Sequence, residues 1–297
     1  MKYILRLSDF HDIVPVSTIG TSAIYNGIYK NGMRFYIKEV IKPSADLEGA
    51  KKPYTRNEWG VYAVELATNE LLASILYNRV YGLPAIHLFL IVNDVHGNGL
   101  QRYLIGSVAI EMDSCDVMSK DCVDLYTNRI AKGVEGLLVD AILANWDIAS
   151  TGNVGILSKN IIDRKSGRQK NKRHGFRVDV GGSLLFRALG APRRFLVEPT
   201  EHQTFFHPDN ISSHFFRSLT CSDLDLVYSY VDGARIDTIP EILRGLKSEI
   251  SKTMTKRDKE RAFSVLNEAA RGVQMRHQYY VQNRDTVLTV LKRLCRK

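Results

Sequence analysis

Between Leu137 and Gly182 the chain passes from an apolar run to two carboxylates and an amide, an order that restricts its fold more than any other stretch. Leu137-Leu-Val-Asp-Ala-Ile-Leu-Ala-Asn-Trp-Asp147 places apolar residues at helical spacing, so a core-facing helix delivers a carboxylate at Asp147. A short polar loop leads to Asn153, which opens an expected strand to Leu157. A second expected strand, Gly175 to Val180, ends on Asp179 just ahead of Gly181 and Gly182. Asp147 and Asp179 stand thirty-two positions apart, a separation that a hairpin with a long turn can close. Carboxylates brought side by side repel unless a cation lies between them, so the pair implies a bound metal.

The N-terminal third reads as sheet. Ile24 to Tyr29 and Arg34 to Val40 are rich in β-branched and aromatic residues, and Asn31-Gly32 between them signals a hairpin turn. Upstream, Thr18-Ile-Gly-Thr-Ser-Ala23 is a small-residue turn whose N–H groups and hydroxyls can approach a phosphate, although a plain surface turn reads the same way. Lys38 sits late in the second strand, facing either water or the space beneath that turn. A helix is expected from about Tyr62 to Tyr81, stopping at Gly82 with Pro84 beyond. Leu71, Leu72, Ile75, Leu76 and Val80 form its apolar stripe; Glu70 lies beside it, placed to pair with a strand lysine, and Glu65 competes for that role. Two further strands, Ile86 to Val92 and Leu104 to Glu111, lead through Ile110-Glu-Met-Asp-Ser114 into a mostly helical remainder, with helices over 120–146 and again from Ser222 onward. The expected fold is α+β and bilobal, with a small β-rich lobe over residues 1–112 and a larger helical lobe over 113–297.

Composition narrows the class. The chain has 297 residues, enough for two lobes around an ample core, and a formal net charge of +9 that suits an acidic partner. Six Lys/Arg crowd into Arg164-Lys-Ser-Gly-Arg-Gln-Lys-Asn-Lys-Arg-His174, between the two metal-bearing strands, where they form a solvated loop or reach for an acidic protein substrate or nucleic acid. Cys115, Cys122, Cys221 and Cys295 show no CxxC spacing, so free thiols in a reducing, cytoplasmic compartment are expected. Arg6 and Asp9 interrupt the apolar start, so no signal peptide is expected. No apolar run reaches the roughly 18 residues of a membrane span.

Phosphoryl transfer needs these parts: one carboxylate to orient or deprotonate an acceptor, plus an amide and a carboxylate to hold Mg2+ on nucleotide phosphates. Their order, from small-residue turn through strand lysine, helix glutamate, hinge, Asn145-Trp-Asp147 and Asn153 to Asp179-Val-Gly181, resembles the protein-kinase superfamily. It looks more like the atypical branch of HipA-type and phosphoinositide kinases, with bacterial and phage members, than like Hanks-type enzymes, because no His-Arg precedes Asp147. The resemblance covers roughly residues 15 to 190. It implies ATP and Mg2+ as cofactors and the protein-kinase-like fold. Lys38 would contact phosphates and pair with Glu70, Asp147 would be the catalytic aspartate, and Asn153 and Asp179 would hold the metal. Gly20, Thr21 and Ser22 would cover the phosphates, and Glu111 and Met112 would border the nucleotide at the hinge. The chain departs from the Hanks pattern in its nearly glycine-free loop, in the six residues from Asp147 to Asn153, and in valine for phenylalanine after Asp179.

The leading expectation is an atypical serine/threonine protein kinase. Transfer to a lipid or small molecule, transfer of AMP, and a pseudokinase binding partners through its basic surface stay open. So do the oligomeric state and whether the protein acts in its own cell or is delivered into another.

Overall fold

The computed structural model describes residues 2–16, 23–40, 56–114, 133–145, 148, 153–162, 169–186, 199–205 and 219–295. Phe35 and Ile37 alternate with Arg34, Tyr36 and Lys38, so the strand they form has one apolar face and one mixed face. Four strands are defined first: β1 (Ile4–Arg6), β2 (Phe10–Pro15), β3 (Ile24–Tyr29) and β4 (Arg34–Glu39). β3 and β4 make the expected hairpin, with Gly32 at φ +84 in its turn. With β5 (Leu88–Val92) and β6 (Tyr103–Val108) they build one six-stranded sheet in the order β1-β5-β6-β4-β3-β2. All its pairings are antiparallel except β1 with β5. The three-residue β1 was not expected from sequence. Glu249 anchors it, accepting the N–H groups of Tyr3 at 2.8 Å and Ile4 at 3.0 Å.

The two faces of this sheet have different covers. Phe10, Phe35, Ile37, Ile91 and Leu104 close one face with a small cluster, in which Phe10 and Phe35 meet edge to face. On the other face lies α1 (Arg56–Ile75), starting six residues earlier than expected and running on as a π-helical turn from Leu76 to Tyr81. It ends at Gly82, in the left-handed conformation, as the sequence indicates. From Ala63 to Tyr77 every residue but Glu65 is buried. The helix is enclosed all round, by β5 and β6 on one side and by the long C-terminal helix on the other.

The C-terminal part is mainly helical. A 3-10 turn, Val134–Gly136, opens into α2 (Leu137–Ile142), shorter than the run to Trp146 suggested. β7 (Asp113–Ser114), β8 (Val154–Ile162) and β9 (Gln169–Arg177) form a second sheet. β8 and β9 are each nine residues long, well beyond the short strands expected, and Asp179 stands two residues past the end of β9. The ribbon spans eight residue steps from Val154/Arg177 to Ile162/Gln169, about 27 Å at strand rise. The basic strand residues Lys170 and Lys172 are therefore carried away from Asp179, not held beside it; Arg164, Lys165 and Arg168 lie outside the described residues.

Then come α3 (Glu201–Thr204), α4 (Cys221–Leu224), α5 (Ser229–Asp232), α6 (Ile239–Thr253), α7 (Lys256–Gln282) and α8 (Arg284–Cys295). The α+β division into a β-rich N-terminal part and a helical C-terminal part is as the sequence predicts. Cys221 and Cys295 are free thiols, and among the described residues no helix is long and apolar enough to cross a membrane.

Candidate active site

Strand alternation decides where Lys38 points. Its cross-strand neighbour Ile105 belongs to the core under α1, whereas Phe35 and Ile37 belong to the opposite cluster, so Lys38 emerges on the α1 side. There its Nζ lies 3.3 Å from Glu70 Oε1 and 3.8 Å from Asp179 Oδ2. Three side chains from a strand, a helix and a loop far apart in sequence thus meet around one ammonium. Glu65, the competing glutamate, pairs instead with Arg261 of α7 at 2.9 Å.

The electrostatics follow from this meeting. Burial would push the Lys38 ammonium toward its neutral form, but Asp179 and Glu70 outweigh it and hold its pKa above the ordinary lysine value. Burial raises the Glu70 carboxyl; Lys38 pulls it down and the Asp179 carboxylate pushes it up again. With all three charged, the cluster carries one positive and two negative charges. Asp179 is the most open member, with 42% of its side chain exposed. The crowding also accounts for Gly181: a Cβ there would lie 3.2 Å from Asp179 Oδ1 and 3.2 Å from Glu70 Oε2. Its N–H donates to Asp179 Oδ1 at 2.9 Å.

Asn153 stands next to Asp179. Its backbone carbonyl accepts the N–H of Val178 at 2.9 Å and that of Asp179 at 3.4 Å, across the base of the ribbon. Among the described residues no group of three His, Cys, Asp or Glu side chains forms a metal cage. Mg2+ needs none, since it is bound through one or two carboxylates with substrate phosphates and water completing the octahedron. One half-open carboxylate with an asparagine beside it, next to a lysine, fits a Mg-nucleotide on donor chemistry.

The remaining expected residues divide. Met112 is half-buried, and a Cβ on Gly155 of β8 would meet its Sδ at 2.3 Å, so it covers the base of the ribbon; Glu111 is exposed. Asp147 lies outside the described residues, as do Gly20, Thr21 and Ser22. Asn145 and Ile148, on either side of Trp146 and Asp147, are described. Asn145 and Ile148 are buried, and Asn145 Nδ2 donates to the Tyr77 hydroxyl at 3.1 Å.

A buried network brings these two segments together, and sequence reasoning missed it. Asp140 of α2 accepts from Arg177 at the end of β9, Nη2 at 2.7 Å and Nε at 3.2 Å, and from the Tyr77 hydroxyl at 2.8 Å. Asp140 and Arg177 are each 1% exposed. Gly136 makes room for the guanidinium; a Cβ there would lie 2.2 Å from Arg177 Nη2. The helix leading to Asp147 is thereby tied to the strand leading to Asp179. A lone Asp inside Leu137-Leu-Val-Asp-Ala-Ile-Leu143 was the available signal, since a carboxylate on a core-facing helix needs a partner. At the other end of α2, the buried Arg276 of α7 donates to the carbonyls of Ala141 at 2.6 Å and Ile142 at 2.8 Å and also to Glu201.

No family model and no curated protein matches the chain. Among solved structures it is similar to the Rio2 kinase of Chaetomium thermophilum. The crystal structure of its ADP/Mg2+-phosphoaspartate complex shares 13% identity at a TM-score of 0.38, over 97% of this chain and 71% of that one. The crystal structure of Rio2 kinase from the same organism shares 12% at 0.38, over 97% and 73%. At that TM-score the likeness adds no weight to the side-chain geometry.

Proposed function

We propose that the chain is an ATP- and Mg2+-dependent phosphotransferase, an atypical protein kinase acting on serine or threonine hydroxyls. The observation that supports this reading is the meeting of Lys38, Glu70 and Asp179 around one half-buried ammonium. Lys38 binds the nucleotide phosphates, and Glu70 holds it extended. Asp179 and Asn153 hold Mg2+, which when bound neutralises charge on the phosphates. Gly20, Thr21 and Ser22 would cover the phosphates, and Glu111 and Met112 would border the nucleotide. Asp147 orients the acceptor hydroxyl and takes its proton as the γ-phosphoryl group passes to that oxygen and ADP leaves. An acidic acceptor protein would suit the basic ribbon.

Incubation with γ-labelled ATP, Mg2+ and a generic protein substrate tests the reading. Label should reach the substrate with wild type and not with Asp147→Asn, which should still bind Mg-ATP. Asp179→Asn should lose Mg-ATP binding. Equal labelling by wild type and Asp147→Asn sinks the assignment of Asp147. Mass spectrometry of the product separates phosphate transfer from AMP transfer, and a wild type with no thermal response to Mg-ATP is a pseudokinase.

A further inference from the structure

Next to Glu70 on α1 stands Asn69, an amide in the middle of a buried helix, where asparagine is a poor helix former. It is 0% exposed and uses both ends of its side chain on one short segment. Nδ2 donates to the Ser183 carbonyl at 2.9 Å, and Oδ1 accepts the Leu185 N–H at 3.1 Å. It acts as a surrogate strand edge for residues 183–185, which follow Asp179 after only Val180 and the glycine pair.

Leu184 and Leu185 of that segment are buried in the core, and the Ser183 carbonyl also accepts the Phe186 N–H at 3.5 Å. Ser183 N–H donates to Val180 O at 3.2 Å within its own turn, and Leu184 N–H donates to Leu143 O at 2.7 Å. The Ser183 hydroxyl is wholly buried and has no hydrogen-bond partner among the described residues. Leu184 sits at φ +58, a left-handed conformation that costs a non-glycine residue energy and persists only where its surroundings impose it. Asn69 supplies two of the bonds that impose it.

We infer that Asn69 is a positioning residue that sets where Asp179 stands relative to Lys38, and so sets the Mg2+ requirement of the site. The inference rests on the kinase reading above. Consecutive residues of one rigid helix fix the two halves of the site: Glu70 holds the lysine, and Asn69 holds the segment behind the metal-binding carboxylate. Without the Asn69 amide, Gly181 and Gly182 give the Asp179 loop freedom to drift, whereas the Lys38–Glu70 pair keeps its contact. Groups that orient a metal ligand from behind typically change metal affinity 10- to 100-fold.

The test is ADP binding by calorimetry, in EDTA and across a Mg2+ titration, on wild type, Asn69→Ala and Thr68→Val. Thr68 is equally buried on the same helix, but among the described residues its hydroxyl bonds only to Val64 O one turn back. The expected result for Asn69→Ala is a Mg2+ midpoint raised about tenfold or more, with Mg-free ADP affinity within about twofold of wild type. Thr68→Val should match wild type in both. Should Asn69→Ala fail to fold, Asn69→Ser keeps a polar group too short to span residues 183 and 185 and should show the same midpoint shift. An unchanged Mg2+ midpoint, or equal losses with and without Mg2+, overturns the positioning role while leaving the kinase reading intact. A wild type that binds no Mg-ADP overturns that reading and this inference with it.

Discussion

Removing the Asp140 carboxylate should cost more stability than removing any of the proposed catalytic groups. In Asp140→Ala, the buried Arg177 guanidinium loses the carboxylate that accepts from it at 2.7 and 3.2 Å and keeps the Gly133 carbonyl at 3.4 Å. The Tyr77 hydroxyl loses its acceptor at the same time. Breaking one side of a buried ion pair typically costs about 3–5 kcal/mol, because the charge left behind cannot return to water. Domains of ordinary stability have about 5–15 kcal/mol in all, so the variant should fold but unfold at a much lower urea concentration. The measurement is equilibrium urea unfolding of wild type, Asp140→Ala, and the double variant Asp140→Leu with Arg177→Met. Because replacing both charges removes the desolvation cost as well as the attraction, the double variant should recover most of the loss. A single-variant loss below about 1 kcal/mol, the level of a surface pair, or a double variant no better than the single, refutes the account of this pair as a buried brace.

Acid stability should depend on His202, which is 2% exposed with Nδ1 2.9 Å from the Tyr280 hydroxyl. Burial, with Arg276 adding to it and Glu201 opposing, lowers its pKa from 6.5 to about 4. The unfolded chain therefore binds the extra proton first, so stability is full above about pH 6.5 and falls as pH drops toward 4, by about 3 kcal/mol for the whole shift. His202→Gln should flatten much of that acid slope in urea midpoints measured between pH 4.5 and 7; an unchanged slope removes His202 as its source. His277, also lowered by burial, adds a smaller share of the same sign. Gly181→Ala should weaken Mg-ADP binding several-fold and shift the urea midpoint little, because the new methyl group would meet the Asp179 and Glu70 carboxylates at 3.2 Å. Wild-type Mg-ADP affinity in that variant would show that the two carboxylates are not held at that approach.

Local chemistry made part of this molecule legible. The Asn31-Gly32 turn and the stop at Gly82 each depend on residues near one another in sequence, whereas the side to which Lys38 points stayed open because its cross-strand neighbour Ile105 is remote in sequence. The length of the β8–β9 ribbon was hidden because Lys159, Asn160, Lys170, Asn171 and Lys172 disfavour strand on propensity, while the ladder needs only backbone groups. β1 was hidden for the opposite reason. Three residues carry no periodicity, and its partner β5 lies more than eighty positions away. The choice between Glu70 and Glu65 was undecidable until α1 proved to be enclosed on both sides, since each glutamate then faced a different cation.

Charge misled for a physical reason as well. A net +9 reads as a surface property, yet Arg177 and Arg276 are the two largest fully buried side chains among the described residues. Arg276 takes the last carbonyls of α2, which a helix end ordinarily leaves to a glycine cap or to water. Ala144, just before Asn145, is held at φ +56, a conformation that costs a residue with a Cβ about 1–2 kcal/mol. Leu184, whose N–H bonds to Leu143, is held left-handed at φ +58. The two left-handed residues are thus linked through Leu143, which precedes Ala144 and accepts from Leu184, one ahead of Asp147 and one after the Asp179 loop. Strain of this kind survives only where the surroundings over-determine it, and it gathers at sites that do chemistry. A helix serving only as packing could end at a glycine without cost. This one ends in a left-handed alanine that closes its own last turn, Ala144 N–H donating to the Ala141 carbonyl at 3.0 Å and Asn145 N–H to the Asp140 carbonyl at 2.8 Å, as expected if the placement of the segment that follows matters more than the stability of the helix.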